Sequence, residues 1–318
     1  MLQTMKTDIY FPNLGLAFRR LGNGITVFGF DIMYYGMIIV CGMLFGVLLA
    51  CWRAKRAGEQ PDMIIDFALY AIVAAVVGAR IYYVAFAWDS FRDNPLSVFN
   101  LRTGGLAIYG GIIGGVFMAA VYARIRKISF CRLTDICAPA LLLGQVIGRL
   151  GNFFNREAFG AYTDGLFAMQ LDRRAAGSDF SCSVAALEQR YAGREEALSR
   201  ILEIRNNAVW INGVEYIQVH PTFLYEMAWN AVLLLLLLLY TKHRAFEGEI
   251  TLLYLAGYGL GRVFIEGLRT DQLFLWGSRI AVSQLLSALL VVLAAAMIAA
   301  GRLKLRERFS RRGRTKTG

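Results

Sequence analysis

The segment from Gly148 to Gly160 reads GRLGNFFNREAFG and places Arg149, Asn152, Asn155, Arg156 and Glu157 at the end of a long apolar stretch. Cations and amides beside hydrocarbon are costly, so such a cluster marks a functional site by default. Comparable groups recur along the chain. RVFIEGLR sets Arg262 and Glu266 one helical turn apart, with Arg269 just beyond. HPTFLYE (220–226) contributes His220, Tyr225 and Glu226, Tyr34 and Tyr35 open the first apolar run, and Arg80 lies near the end of the second. Tyr109 stands within a glycine run. Guanidinium groups suit phosphate, because the planar fork grips two oxygens and stays charged. The asparagines add donors, and the carboxylates orient the arginines or a hydroxyl. The chemistry indicated is work on a lipid headgroup.

The elements that position these groups are membrane-spanning. The chain has 318 residues, 57% hydrophobic and 18% charged, with a mean hydropathy of +0.48, which excludes an ordinary soluble domain. Windows of about 20 residues with few charges predict seven helices, near 32–52, 64–87, 104–123, 134–155, 220–240, 249–267 and 279–301. Arg19 and Arg20 follow rather than precede the early apolar residues, so the first 30 residues do not read as a signal peptide. The net charge of +11 is unevenly placed. The segments after spans one, three and five and the basic tail from Arg302 face one side, where Lys and Arg dominate. Few lie on the other, among them Lys6, Arg19, Arg20, Arg92, Arg102, Arg269 and Arg279. By the positive-inside rule the N-terminus is outside and the C-terminus cytoplasmic. A nucleic-acid role for the tail is the rival reading, but a juxtamembrane polybasic segment facing anionic lipid is the simpler account. Five scattered cysteines (Cys41, Cys51, Cys131, Cys137, Cys182) show neither metal spacing nor a disulfide framework, and most of them read as small buried hydrophobes.

The expected organisation is all-α and polytopic with a small α+β head. It comprises an outer N-terminal segment (1–31), helices one to four (32–157), a head insertion (158–219), helices five to seven (220–301) and a basic cytoplasmic tail (302–318). Tyr10, Phe11 and Phe18 suit the membrane interface. Within the head, 183–206 has helical spacing after a Ser183 cap, and VWI-NG-VEYI (209–217) is a hairpin signal through Asn212-Gly213. A structural cap and a functional head are both open readings of it. In span three, Gly110/Gly114 and Gly111/Gly115 fall four apart, a spacing that lets helix backbones approach closely.

Taken singly, each polar group has a structural reading. Arg80 snorkels to anchor its helix, Arg262 and Glu266 form a local pair, Glu226 caps or pairs, and His220 before Pro221 starts a helix. The alternating direction of the spans, however, brings polar groups from six of them to one membrane depth. Asp135 is the exception, some 14 residues or roughly 21 Å below Arg149 on the cytoplasmic side. A transporter with the same arginines predicts polar groups through the full membrane depth and often repeats. A metal-dependent phosphotransferase predicts clustered acidic ligands.

These residues resemble one family. GRLGNFFNREAFG is similar to the signature GRxGNFxNxExxG of prolipoprotein diacylglyceryl transferases, matched at Gly148, Arg149, Gly151, Asn152, Phe153, Asn155, Glu157 and Gly160. Further matches are Tyr35-Gly36, GARxxYV (Gly78 to Val84), GGLAxxGGxIG (Gly104 to Gly114), Asp135 with Ala138-Pro139, HPxxLYE (His220 to Glu226), and Arg262 with Glu266, Arg269 and Asp271. The resemblance runs from about Asp31 to Asp271. It implies an enzyme of the bacterial cytoplasmic (inner) membrane that moves a diacylglyceryl group from phosphatidylglycerol to the lipobox cysteine of a preprolipoprotein signal peptide. Its partners are then phosphatidylglycerol, that peptide and membrane lipids, with no nucleic acid, cofactor or metal. By matching position, Arg262, Glu266 and Tyr109 are the catalytic candidates. Arg149, Asn152, Glu157, Tyr35, Arg80, Asn155, Arg269, His220 and Glu226 are the binding candidates. Some members carry histidine at the position of Tyr109, proposed as the base for the thiol; here a tyrosine is expected to orient the substrate.

Overall fold

Hydrocarbon offers no water to backbone N–H and C=O groups, so long apolar runs close their own hydrogen bonds as helices. The computed structural model describes residues 6–101, 104–270 and 281–314, with side chains to Leu305. Four strands come first: β1 (Lys6–Phe11), β2 (Leu16–Gly22), β3 (Gly24–Val27) and β4 (Phe30–Met33). Helices α1 (Tyr34–Arg56), α2 (Pro61–Phe86), α3 (Ile108–Arg126) and α4 (Phe130–Asn155) follow. The head holds β5 (Met169–Asp172), α5 (Ser178–Ser181), α6 (Val184–Arg190), α7 (Glu195–Asn206), β6 (Val209–Ile211) and β7 (Val214–Val219). Helices α8 (Thr222–Tyr240), α9 (Glu249–Glu266) and α10 (Val282–Arg314) complete the order. Asp271, Arg102, Arg279, the start of the last predicted span and the tail side chains beyond Leu305 lie outside the described residues.

Among the described residues six helices are long and apolar enough to cross a membrane: α1 to α4, α8 and α10. The sixth predicted span (249–267) is helical as α9, but its 18 residues include Glu249, Arg262 and Glu266, too many charges for an apolar span in its own right. Basic residues close α1 (Arg53, Lys55, Arg56) and α3 (Arg124, Arg126), where they complement the helix dipole.

The chain divides into two compact units, one from Met1–Leu44, Leu141–His243 and Leu252–Gly318, the other from Phe45–Ala140 and Arg244–Thr251. In the first, β1 and β2 join the head strands in one antiparallel sheet of order β2-β1-β5-β7-β6. The N-terminal segment is therefore not separate from the 158–219 insertion; both build the head. Phe11 lies in its core with Ile9, Leu171, Leu187, Ile204 and Ile217, rather than at the membrane interface, because β1 alternates into that core. The Asn212-Gly213 turn has both residues at positive φ, as a type I′ hairpin requires. Ser183 accepts the expected capping bond from Ala186 N, but the predicted helix breaks into α6 and α7 around Gly193 at φ 76°.

In the second unit α2 and α3 are in backbone contact. A Cβ on Gly110 would stand 2.3 Å from Gly78 O, and one on Gly114 2.3 Å from Ala74 O, whereas Gly115 faces open space. Only the Gly110/Gly114 pair of the two glycine spacings is a helix contact of this closeness. Pro139 has no N–H for the carbonyl of Asp135 four residues earlier. Arg53 takes that carbonyl at 2.9 Å and the Ile136 carbonyl at 3.2 Å. The Asp135 carboxylate, fully buried, accepts from Gly248 N (2.8 Å), Thr251 N (2.9 Å) and Thr251 Oγ1 (2.9 Å), which holds the first turn of α9. Against the expectation that most of the cysteines are buried, Cys41 and Cys131 are exposed, and Cys51, Cys137 and Cys182 are half-buried.

Gly110→Ala should lower the thermal stability of the detergent-solubilised protein by about 1–3 kcal/mol, because the new methyl meets backbone rather than a movable side chain. Gly115→Ala should leave the unfolding midpoint unchanged; equal effects of the two would show that the helix contact is not what holds α2 to α3.

Candidate active site

The first unit assembles its polar groups through a junction of three chain segments. Gly160 N donates to His220 O (2.8 Å), His220 N to Ala161 O (3.0 Å) and Ala161 N to Leu268 O (2.8 Å). These bonds stitch the end of α4, the start of α8 and the end of α9 together, so α8 runs antiparallel to the other two. A Cβ on Gly160 would come within 2.5 Å of Leu268 O, which explains a glycine at the end of the motif. Thr222 Oγ1 donates to Ala158 O (2.7 Å), and Arg200 of α7 donates to the carbonyls of Gly267 (3.3 Å) and Arg269 (3.1 Å), tying the head to the same junction. Below it, α8 and α9 approach closely because Gly257 leaves room for Leu233 and Gly261 for Trp229, whose Nε1 donates to Gly257 O at 2.9 Å.

That packing brings three helices to one carboxylate. Glu226, with 2% of its side chain exposed, is paired with Arg149 of α4 and, at 3.2 Å, with Arg262 of α9. Arg262 Nη2 reaches Glu266 at 2.7 Å, and Ser283 Oγ of α10 donates to the other Glu266 oxygen. Tyr258, one turn before Arg262, stands close enough to Arg149 and Glu226 to feel both charges. Both arginine side chains keep about a fifth of their surface exposed (21% and 19%), so they retain room for a further anion.

A second set forms where α4 ends. Arg156 adopts left-handed φ 54° and turns the chain, and its guanidinium donates to the carbonyls of Phe154 (2.8 Å) and Leu21. Glu157 then folds back to accept from Asn152 Nδ2 (3.0 Å) and Asn155 Nδ2 (3.2 Å). Tyr35 packs on Gly151, where a Cβ would meet its ring at 2.6 Å, close enough to Glu157 and Arg149 to feel both charges. His220 Nδ1 lies 3.2 Å from the Tyr225 hydroxyl, and Arg269 is buried beside the junction.

Two sequence-derived candidates belong to the other unit. Tyr109 opens α3, half-exposed. Arg80 is buried rather than snorkelling, and all five of its N–H donors are engaged by carbonyls. Nε bonds Val98 (2.7 Å), Nη1 bonds Gly104 (2.8 Å) and Gly105 (2.9 Å), and Nη2 bonds Ser97 (2.9 Å) and Asn100 (3.0 Å). In this arrangement it organises the loop before α3 and has no donor left for a phosphate, against the expectation of headgroup binding. Sequence reasoning missed Tyr258 and Ser283, and Gly257, Gly261 and Trp229 behind them. The available signal was the spacing of four residues from Arg262 to Tyr258 and to Gly257–Gly261 on the same helix.

The sequence profile described as prolipoprotein diacylglyceryl transferase matches residues 13–300. The chain belongs to that family. A relative from Clostridioides difficile (strain 630), named phosphatidylglycerol–prolipoprotein diacylglyceryl transferase, is 38% identical over 256 residues, covering 80% of this chain and 86% of its own. One of the same name from Bacillus cytotoxicus is 40% identical over 264 residues (83% and 86%), and another from Listeria welshimeri is 36% identical over 293 residues (90% and 94%). Membership makes the chain a multi-pass membrane transferase, in keeping with its apolar helices.

Two measurements bear on this geometry. Glu226→Gln keeps the shape and removes the charge that both arginines share; since misplacing catalytic groups by about 1 Å costs on the order of 100-fold, turnover should fall by at least that factor. Near-normal turnover would show that the arginines are held without it. Burial lowers the pKa of His220, which stands outside the apolar spans. The unfolded chain then binds the proton at higher pH than the folded one, so this group's contribution is complete above the unfolded value of ~6.5 and declines as pH falls below it. The unfolding midpoint should drop between pH 7.5 and 5.5, and His220→Gln should flatten that slope.

Proposed function

We propose that this transferase moves the diacylglyceryl group of phosphatidylglycerol to the thiol of the lipobox cysteine in a preprolipoprotein, the first step of bacterial lipoprotein maturation. The sulfur attacks the terminal glyceryl carbon and a C–S thioether forms. The C–O bond to phosphate breaks with its electron pair leaving on glycerol phosphate, and the thiol proton passes to solvent or to that phosphate. The observation that carries this reading is the convergence of Arg149 and Arg262 on the buried Glu226, partly exposed and preset by fixed partners.

Alkyl–oxygen cleavage needs the departing phosphate stabilised, and preorganised cations in a water-poor site do this strongly. Arg149 grips the headgroup, with Asn152, Asn155, Glu157 and Tyr35 beside it. Arg262, held by Glu266, meets the phosphate as charge develops on it. The same field favours the thiolate of the incoming cysteine, whose reference pKa of ~8.5 needs little lowering. Tyr109 orients the substrate, and His220 and Arg269 hold the junction around it. The site faces the outer side of the bacterial cytoplasmic membrane, with the N-terminus outside and the C-terminus cytoplasmic; the excess of basic residues after α1 and α3 supports this orientation.

Incubation of the purified protein with phosphatidylglycerol and a lipobox peptide should add a diacylglyceryl mass to the cysteine, and Arg149→Ala should abolish it. Lipid movement between leaflets without peptide modification would instead make the chain a transporter.

A further inference from the structure

The Arg149–Glu226–Arg262 cluster ends one layer of polar groups, and a second layer lies beneath it. Helices α4 and α9 run toward the stitched junction and α8 runs away from it. One turn further from the junction is therefore four residues back on α4 and α9 and four residues on along α8, about 6 Å in each case. Those positions are Gln145, Tyr258 and Asn230, with Tyr254 a turn further still. All four are polar and none is ionised at neutral pH. In hydrocarbon such groups require partners or cost stability.

The layer is only partly satisfied. Gln145 Nε2 donates to the Tyr254 hydroxyl at 3.0 Å, and the Tyr254 and Tyr258 rings stack with centroids 5.9 Å apart. Among the described residues, Asn230, 1% exposed, has a partner for neither its Nδ2 nor its Oδ1, and Gln145 Oε1 has none either. Asn230 and Glu226 are four apart on α8 and share one face of that helix. A buried asparagine with both amide atoms unbonded, one turn beneath two phosphate-suited arginines, is a site awaiting a ligand group. The free donors are Asn230 Nδ2 and the Tyr254 hydroxyl proton, which is available because that oxygen accepts from Gln145. A diacyl glycerophospholipid whose phosphate sits on the arginines carries acceptors one step deeper: two ester carbonyls, and no donors.

We propose that Asn230 and Tyr254, with Gln145 setting the Tyr254 hydroxyl, bind the ester carbonyls of the lipid donor and thereby fix which glyceryl carbon is presented for transfer. This rests on the reading of phosphatidylglycerol as donor. Asn230 is a binding and positioning residue; it takes no part in bond making.

The test compares dioleoyl-phosphatidylglycerol with its diether analogue, identical except that both carbonyls are absent. Two readouts are taken on the full-length protein: lipid retained in native mass spectrometry, and transfer to a lipobox peptide. A hydrogen bond left unmade to a buried group costs about 1–3 kcal/mol, so wild-type protein should favour the diester by roughly 10-fold or more in retention and in kcat/KM. In Asn230→Leu the diester should weaken while the diether is unchanged or improved, so that the preference collapses. Tyr254→Phe, which removes only one hydroxyl, should reduce it in part. Equal handling of the two lipids by wild-type protein overturns the proposal, as does a variant that loses both by one common factor, the mark of a structural defect. If neither lipid yields product, the donor assignment fails, but the retention ratio still decides whether the layer reads esters.

Discussion

One buried carboxylate organises the polar cluster of the first unit. Moving the Glu226 charge away from water without compensation would cost several kcal/mol, and the fold meets this by aiming two guanidinium groups at it from two other helices. The consequence is geometric. Arg149 and Arg262 cannot drift apart while each is held to the same oxygens, and Glu266 with Ser283 restrains the far side of Arg262. Because the two arginines are matched by two carboxylates, the cluster carries no excess charge in the absence of ligand. A phosphate group entering it adds to an assembled network through arginine side chains that are still partly exposed. Removing the carboxylates to free the cations would leave two like charges adjacent and disordered.

The degree to which each polar group is satisfied separates scaffold from site. Arg80 has five donors and five carbonyl acceptors, and nothing remains for a ligand. Asp135 is closed in the same sense: three short hydrogen bonds from the first turn of α9 and the neighbouring Arg244 occupy its oxygens. Arg53 answers a carbonyl that Pro139 leaves without its helical donor. These groups look functional by residue type and are structural by their bonding. Arg149, Arg262 and Asn230 are the reverse, held in place but incompletely bonded. The distinction is invisible in residue identity and spacing.

Legibility in the sequence followed the number of solutions open to each segment. A long apolar run in hydrocarbon has one, so the helices were readable; Asn212-Gly213 has almost one, so the hairpin was as well. The pairing of β1 with β5 joins residues some 160 positions apart through side chains that differ little from those of any exposed strand, and it was not readable. The motif blocks located Arg149, Glu226 and Arg262, and the alternating direction of the spans put them at one depth. That a single carboxylate bridges both arginines depends on α8 and α9 touching at Gly257 and Gly261, small residues whose role emerges only once their neighbours, Leu233 and Trp229, are known.

Helix α9 shows how a charged helix depends on its neighbours. With Glu249, Arg262 and Glu266 within 18 residues it is a poor membrane segment alone, since each charge placed in hydrocarbon costs about 2.5–3.5 kcal/mol on insertion scales. Arg262 and Glu266 pair with each other within the helix, and other helices supply further partners: Asp135 of α4 engages the first turn, Glu226 of α8 engages Arg262, and Ser283 of α10 engages Glu266. Helix α9 thus relies on α4, α8 and α10 for much of its polar bonding. An apolar α9 would insert more easily, but it would have no charge to present to a departing phosphate. The charged helix and the marginal membrane segment are two aspects of one constraint.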